Sequence, residues 1–407
     1  MASSMTNPSL SHNSVKPAWS NFSFFHPMKP FVLPSERLQH KFRILHILSK
    51  LFGLSPFRYK LDYIRNEVYV STSFSANAWS IIWAVVVVLL QIIGLVSSTY
   101  RANFWDMSNP GSFSLFTICL PLKFTVNLLI VLIISIFKRH KFSKCIQTIS
   151  KINNSVFITN KNTFMQILGI LKDPLYAVLI FMLIPGLIFD AWFWSKYSNL
   201  PYELVLRYST LINIVFTIQY SELVLFVARS LKRTEFPNLS QSREIYLELK
   251  TTLKLRTMYK KIYDLTQTIN ETYGFPIILM LIKIVADLIT NSYVLIKMNE
   301  SSSQSATSEI MFMMFWFLMK MAQLLGITIC CHLATQEAVK YMDGVQDLLL
   351  HLSLRREVVK QLKLFSEQLV RNKIEFNALG ISIDMPLFFT ISATVFTYTI
   401  VLLQLEN

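Results

Sequence analysis

Long apolar runs separated by polar, mostly basic connections set the pattern of this 407-residue chain. Seven runs read as helices: roughly Ala76–Ser97, Leu115–Phe137, Pro174–Trp194, Arg207–Val227, Phe275–Lys297, Ile310–Cys331 and Ile383–Gln404. About 20 apolar residues cross a hydrocarbon core of about 30 Å, so each run is long enough to span. The expected fold is an all-α membrane protein with seven transmembrane helices. Residues 1–75 form an N-terminal tail and pre-span segment, and 76–331 carry spans one to six with a long helical loop at 228–274. Residues 332–382 form an amphipathic connection, and 383–407 the seventh span with a short external tail.

The seventh run carries a polar stripe. Thr390, Thr394, Thr397, Val401 and Gln404 recur at spacings of four, three, four and three, so they share one helical face. A lipid-facing helix has no use for three hydroxyls and an amide. The face suits either a water-filled pore or a small-residue seam in which threonines bond back to their own helix or across to a neighbour. In the pore reading, hydroxyls and the Gln404 amide replace part of a cation's water shell. Ile400 and Val401, one turn deeper, form a hydrophobic constriction that gates by dewetting. Glu406 places carboxylate at the mouth and favours cations.

Two connections keep helical spacing. Ile245, Leu249, Leu255, Tyr259, Ile262 and Ile269 do so between Ser242 and Tyr273. Val345, Leu348, Leu352, Val359, Leu362, Phe365 and Leu369 do so between Ala334 and Leu369. Either these helices lie on the bilayer, or they extend the spans and pack around the start of span seven.

Charge fixes an expected orientation. Of 39 Lys and Arg, 32 fall before span one or between spans two and three, four and five, and six and seven. The alternate side holds only Arg101, Lys196, Arg207 and Lys297. Positive residues stay inside, so the N-terminus is expected in the cytoplasm and the C-terminus outside. A G-protein-coupled receptor has the reverse arrangement. The net charge of +15 is thus membrane topology, and no nucleic-acid partner is expected. Composition agrees with the lipid bilayer as a partner: 53% of residues are hydrophobic and 15% charged, against about 25% charged in soluble domains. The first twenty residues are polar, so no cleavable leader is expected and span one acts as the insertion signal. The tail reads as disordered to about Phe31.

Charges inside the runs are costly unless paired or wet. Lys283 and Asp287 lie four apart on one face, and Asp287 and Lys320 share a depth, so pairing within and between spans five and six is expected. Lys123 and Asp190 sit toward the outer ends of their spans, near Trp192, Trp194, Phe315 and Trp316. Polar groups beside aromatic faces suit a small organic ligand; an interfacial aromatic belt with a snorkelling lysine gives the same pattern. Lys123, Asp190, Trp194, Phe315 and Trp316 are therefore the ligand-binding candidates. The seven His are dispersed, the four Cys fall outside the expected external loops, and no metal-ligand spacing or catalytic constellation appears. No cofactor and no enzyme activity are expected. Cys330 and Cys331 read either as helix residues or as palmitoylation sites.

The C-terminal run also carries a motif. Thr397-Tyr398, then Thr399 to Leu403, then Gln404-Leu405 resembles the ending of the insect gustatory receptors, in which Thr-Tyr, five mostly aliphatic residues and Gln-Phe close the last helix. Leu405 and Thr399 depart from it. Phe376, Gly380, Asp384 and Phe388 stand where that family keeps Phe, Gly, Asp and Phe. Ile269–Pro276 and Leu51–Phe57 are similar to its segments before spans five and one. The resemblance implies a cytoplasmic helical anchor around a central axis, four subunits, and a non-selective cation channel in sensory-neuron plasma membrane, opened by a small-molecule tastant. It implies a pore lined by Thr390, Thr394, Thr397, Tyr398, Ile400, Val401, Gln404 and Glu406, and a pocket in the outer half of the bundle. Assembly alone or with other gustatory receptor subunits stays open. The rival readings are an odorant-type or metabotropic chemoreceptor, and a seven-span transporter with Lys283, Asp287 and Lys320 as a relay.

Overall fold

The computed structural model describes residues 49–54, 58–62, 67–71, 81–94, 96, 112–156, 200–234, 245–300, 306–351 and 356–406. Among them the chain is mostly helical. A two-stranded ribbon, β1 (Arg58–Asp62) and β2 (Glu67–Ser71), precedes α1 (Ile81–Gly94). Then follow α2 (Ser112–Leu132), a π-helical turn (Ile133–Phe137), α3 (Arg139–Val156), α4 (Leu200–Arg233), α5 (Ile245–Glu300), α6 (Ala306–His351) and α7 (Arg356–Arg371). A second ribbon, β3 (Asn377–Ala378) and β4 (Ile381–Ser382), leads into α8 (Met385–Glu406).

The ribbons correct the all-α expectation. β1 and β2 pair antiparallel from Arg58–Ser71 to Asp62–Glu67. The first strand, Arg-Tyr-Lys-Leu-Asp, alternates polar with aromatic or apolar positions at the strand period, and the second, Glu-Val-Tyr-Val-Ser, is rich in the β-branched and aromatic residues that favour strands. In the second ribbon Leu379 (φ 50°) and Gly380 (φ 87°) both take left-handed backbone, as a tight two-residue hairpin requires. Gly380 meets this demand at no steric cost, which accounts for a glycine there.

Among the described residues, four helices are long and apolar enough to cross a membrane, with candidate spans Tyr208–Lys232, Lys250–Ile296, Ile310–Leu350 and Met385–Gln404. Shorter apolar helices cover Ile81–Gly94 and Leu122–Leu132, inside the first two expected runs. The third run, Pro174–Trp194, lies outside the described residues. At 1.5 Å per residue, the 56 residues of α5 extend about 84 Å and the 46 of α6 about 69 Å. Both far exceed the hydrocarbon thickness, so each continues well beyond its span. The amphipathic connections are therefore continuous with the spans over Ile245–Tyr273 and Ala334–His351, while α7 is a separate helix packed on α5 and α6. Its buried stripe is Val358, Leu362, Phe365 and Leu369; Val358, rather than the neighbouring Val359, faces inward.

α4 carries the most deeply buried of these candidate spans. It packs most extensively against α6 and also meets α5 and α2, and 83% of its span is buried. Ser49–Leu54 packs on it: the Tyr208 hydroxyl and the Trp83 indole N–H both donate to the Leu51 carbonyl, at 2.8 and 2.6 Å. Phe52 stacks at a tilt on Tyr208, with ring centres 5.2 Å apart. Gly53, at φ 71°, closes this turn against Val87. Lower in the bundle, Tyr273 of α5 is fully buried among Phe216, Tyr220 and Phe142. Cys331 lies 3.3 Å from the Tyr220 hydroxyl and, like Cys330, is buried. Both sulfurs are therefore core groups with no access for acylation.

Candidate functional site

α8 touches the bundle along one narrow face. Ile391, Val395 and Thr399 recur every four residues and are buried against α5 and α6. Only 11% of the apolar span is buried, against 83% in α4. The other side shows Thr390, Thr397, Val401 and Gln404 exposed and Thr394 half-exposed. Tyr398 and Ile400 flank them, also exposed. The side chain of Glu406 lies outside the described residues. Each threonine hydroxyl donates to its own helix: Thr390 to the Pro386 carbonyl at 2.9 Å, Thr394 to Thr390 at 2.8 Å and Thr397 to Ala393 at 3.0 Å. With the proton turned inward, the oxygen lone pairs face outward. The stripe thus keeps free acceptor lone pairs, and this back-bonding suits a hydrated path and a small-residue seam alike. Thr399, the polar residue among the aliphatics, donates to Val395 and faces the bundle.

The entry to α8 is tightly specified. Asp384 accepts the Leu387 N–H at 3.2 Å, the geometry of a helix N-cap, and receives the Ser382 hydroxyl on its other oxygen at 3.3 Å. Ile383 and Asp384 thus belong to the cap, and the helix starts at Met385. The Ile383 N–H closes back on the Phe376 carbonyl at 2.9 Å, over the buried Phe376 ring. The Asn270 amide of α5 donates to the Glu375 carbonyl at 2.8 Å and accepts the Asn377 N–H at 3.4 Å. One turn on, Gly274 faces Asn377 and Ala378. Pro276, inside α5, has no N–H for the Thr272 carbonyl, so this turn of the helix lacks one rung.

A second polar site lies between α4 and α6. Thr210, Asn213, Ile214 and Thr217 face Trp316, Met319, Lys320 and Gln323 across a narrow cleft. The cleft as a whole has room for about one water. Gln323 donates to the Thr217 hydroxyl at 2.6 Å, and Thr217 in turn donates to the Asn213 carbonyl at 2.9 Å. Trp316 is braced edge-on by Phe312 and Phe315, with ring centres 6.3 and 6.0 Å away. Behind the cleft, Lys320 Nζ sits 2.8 Å from Asp287, and Lys283 Nζ 3.7 Å from the same carboxylate oxygen. Lys123 reaches in from α2 and donates to the Thr210 hydroxyl at 2.7 Å. The Asn127 amide donates beside it to the Ser209 carbonyl and hydroxyl.

A sequence model described as the 7tm chemosensory receptor matches residues 42–406. The chain belongs to this receptor family. The fold is similar to that of the insect olfactory receptor OR5 from Machilis hrabei, with a TM-score of 0.66 at 11% identity, covering 91% of this chain and 99% of that one. The structure of the same receptor in complex with eugenol matches at 0.66 and 12% identity, with the same coverage. Comparison with curated proteins found no match.

In this chemosensory receptor the ligand-binding candidates separate. Trp316 lines the cleft, Phe315 supports Trp316 from behind, and Lys123 touches the cleft wall through Thr210. Asp190 and Trp194 lie outside the described residues. Lys283, Asp287 and Lys320 form the expected pairs, but Lys320 also faces the cleft. Thr210, Asn213, Thr217 and Gln323 were not anticipated. Thr210, Asn213 and Thr217 stand three and four apart in an apolar run, the same signal that marks α8.

Proposed function

We propose that this chemosensory receptor is a gustatory receptor: a ligand-gated, non-selective cation channel of the sensory-neuron plasma membrane, assembled from four copies, each contributing α8 to a central pore. The observation that carries this reading is the packing of α8. An apolar span attached through Ile391, Val395 and Thr399 presents an outward row of threonine acceptors ending at Gln404. Such a row suits a hydrated ion path. Thr390, Thr394, Thr397 and Gln404 line it with Tyr398 beside them, Ile400 and Val401 form its constriction, and Glu406 shapes the outer mouth.

The ligand site is the α4–α6 cleft. A small molecule entering beside Trp316 separates α4 from α6. Lys320 of α6 shares Asp287 with Lys283 of α5, so α5 responds. Asn270 and Gly274 hold the hairpin from which α8 starts, about 20–26 Å along α5 from Asp287. A ligand that binds the separated arrangement more tightly shifts the population toward it and moves the origin of the pore helix. The eugenol complex of the similarly folded OR5 is consistent with a small-molecule ligand.

Excised-patch recording from cells expressing only this chain, perfused with sugars, alkaloids and amino acids, tests the reading. Ligand-evoked unitary cation currents are expected, with altered ion permeability in Gln404→Ala at normal surface expression. Silent patches from surface-expressed protein would favour signalling through a partner, and saturable uptake without unitary currents a transporter.

A further inference from the structure

We propose that the junction of α2, α3 and α5 binds an anionic phospholipid, its headgroup held by Lys138, Lys141 and Lys144 and its acyl chains laid against Phe137 and Phe275. The site is separate from the α4–α6 cleft and from the α8 stripe, so it stands independently of both.

The backbone places the cations. A π-helical turn takes up more residues than an α-helical one, so Ile133–Phe137 offsets the faces of α3 from those of α2. The Lys138 N–H closes this turn on the Ile133 carbonyl at 2.8 Å, and the Phe142 N–H resumes the α pattern on the Lys138 carbonyl at 3.0 Å. α3 then turns Phe142, Cys145, Ile149 and Ile152 into the bundle and leaves His140 and Lys144 exposed, with Lys138 and Lys141 partly so. Residues 138–144 hold Lys138, Arg139, Lys141 and Lys144, and no Asp or Glu occurs from 138 to 156. Four basic residues directly beyond the end of a span form the pattern that draws anionic lipid headgroups.

The neighbouring elements do not balance this charge. Lys141 Nζ pairs with Glu271 of α5 at 2.5 Å, and Lys138 and Lys144 come within electrostatic reach of the same carboxylate. Three cations therefore converge on one anion, whose side chain is 57% exposed. Asp264, the next acid toward the start of α5, is about 10 Å further along that helix. β2 also packs on α3, but the charges of its ribbon, Arg58 and Lys60 against Asp62 and Glu67, cancel.

The apolar half of the site is an independent observation. Phe137 is 74% exposed at the end of the second apolar run, and Phe275, one turn from Glu271, is 44% exposed at the start of the fifth. Both rings stand where an apolar run meets its basic connection, the level at which aromatic side chains meet the membrane interface. From Lys138 to Lys144 the helix rises about 9 Å, against about 5–8 Å for one headgroup layer, and the lysine stems reach back over the difference. A soluble anion would use the lysines and leave both phenyl rings bare. A phospholipid uses both.

The test is reconstitution of the full-length chain in phosphatidylcholine bilayers containing a minority of phosphatidylserine, gentle re-extraction, and mass spectrometry of the retained lipid. Phosphatidylserine is expected at no less than threefold its share of the bilayer. The triple change Lys138→Gln, Lys141→Gln and Lys144→Gln should bring it down to that share, while Lys→Arg at the same three positions keeps the enrichment. A photoactivatable phosphatidylserine should cross-link within residues 133–144 or 271–275. That mapping uses the unaltered chain, so poor folding of a variant does not blunt it. Retained lipid at the bulk ratio, enrichment unchanged in the glutamine variant, or cross-links confined to other segments would each overturn the inference. Displacement of the lipid by glycerophosphoserine, the headgroup without its chains, would show a site for soluble anions and overturn it as well.

Discussion

The side-chain amide of Asn270 clasps the backbone on both sides of residue 376, donating to the Glu375 carbonyl and accepting the Asn377 N–H. These residues are 107 apart in sequence, and the clasp fixes the hairpin from which α8 departs. Asn270→Ala removes both bonds. We expect a loss of about 1–3 kcal/mol, with ligand affinity retained and evoked current reduced. Binding and current measured on the same variant separate the two effects.

Asp287 holds two buried ammonium groups together. Removing one partner of a buried ion pair costs about 3–5 kcal/mol, because the remaining charge keeps its desolvation cost. Asp287→Asn should therefore lower the yield of folded protein sharply. The double change Asp287→Asn with Lys320→Met should recover part of it, since one stranded cation goes too. Monodisperse yield on size exclusion reads both.

Two glycines in helices should respond oppositely. A Cβ on Gly94 would overlap the buried Phe124 ring, so Gly94→Ala forces a core aromatic to move. A loss of about 1–3 kcal/mol is expected, as for overpacked cores. A Cβ on Gly274 would meet the Asn377 oxygen at 3.5 Å and Ala378 Cα at 3.6 Å, ordinary contact distances. Gly274→Ala should be neutral or stabilising by up to about 1 kcal/mol from helix propensity. Thermal unfolding of the two variants in the same detergent checks the contrast.

Cys145 on α3 is fully buried, and burial pushes its thiol up from about 9 to about 12. Below pH 9 the thiol is neutral in folded and unfolded chains alike. Between about 9 and 12 only the unfolded chain ionises, so this group's contribution to stability falls as pH rises. Maleimide at pH 7.5 should leave Cys145 unlabelled in the native protein and label it after denaturation, as peptide mass mapping would show. Native labelling would mean that α3 does not pack on the bundle as described.

What was legible in the sequence follows from distance along the chain. The α8 stripe is a local periodicity, so Thr390 to Gln404 declared their common face. Asp384 and Gly380 stood out only as a motif, and the structure supplies their reasons: an N-cap and a left-handed turn. The Asn270 clasp was hidden because its two halves, a helix side chain and the backbone at Glu375 and Asn377, stand 105 and 107 residues apart. The cleft was partly hidden for the same reason, since Asn213 and Gln323 are single amides in apolar runs until α4 meets α6. The β1–β2 ribbon was legible through the alternation around Tyr59 and Leu61, but the length of the apolar runs drew the reading to helices alone.

The central claim is that α8 faces an ion path with one side and the bundle with the other. Cysteine substitution at single positions of α8, probed with a charged thiosulfonate during ligand-evoked current, tests it most directly. Modification at 394, 397, 401 and 404 should block or alter current within the application, while 391, 395 and 399, buried against α5 and α6, should not respond. Block confined to the second set, or current indifferent to reagent at every position, would contradict the account.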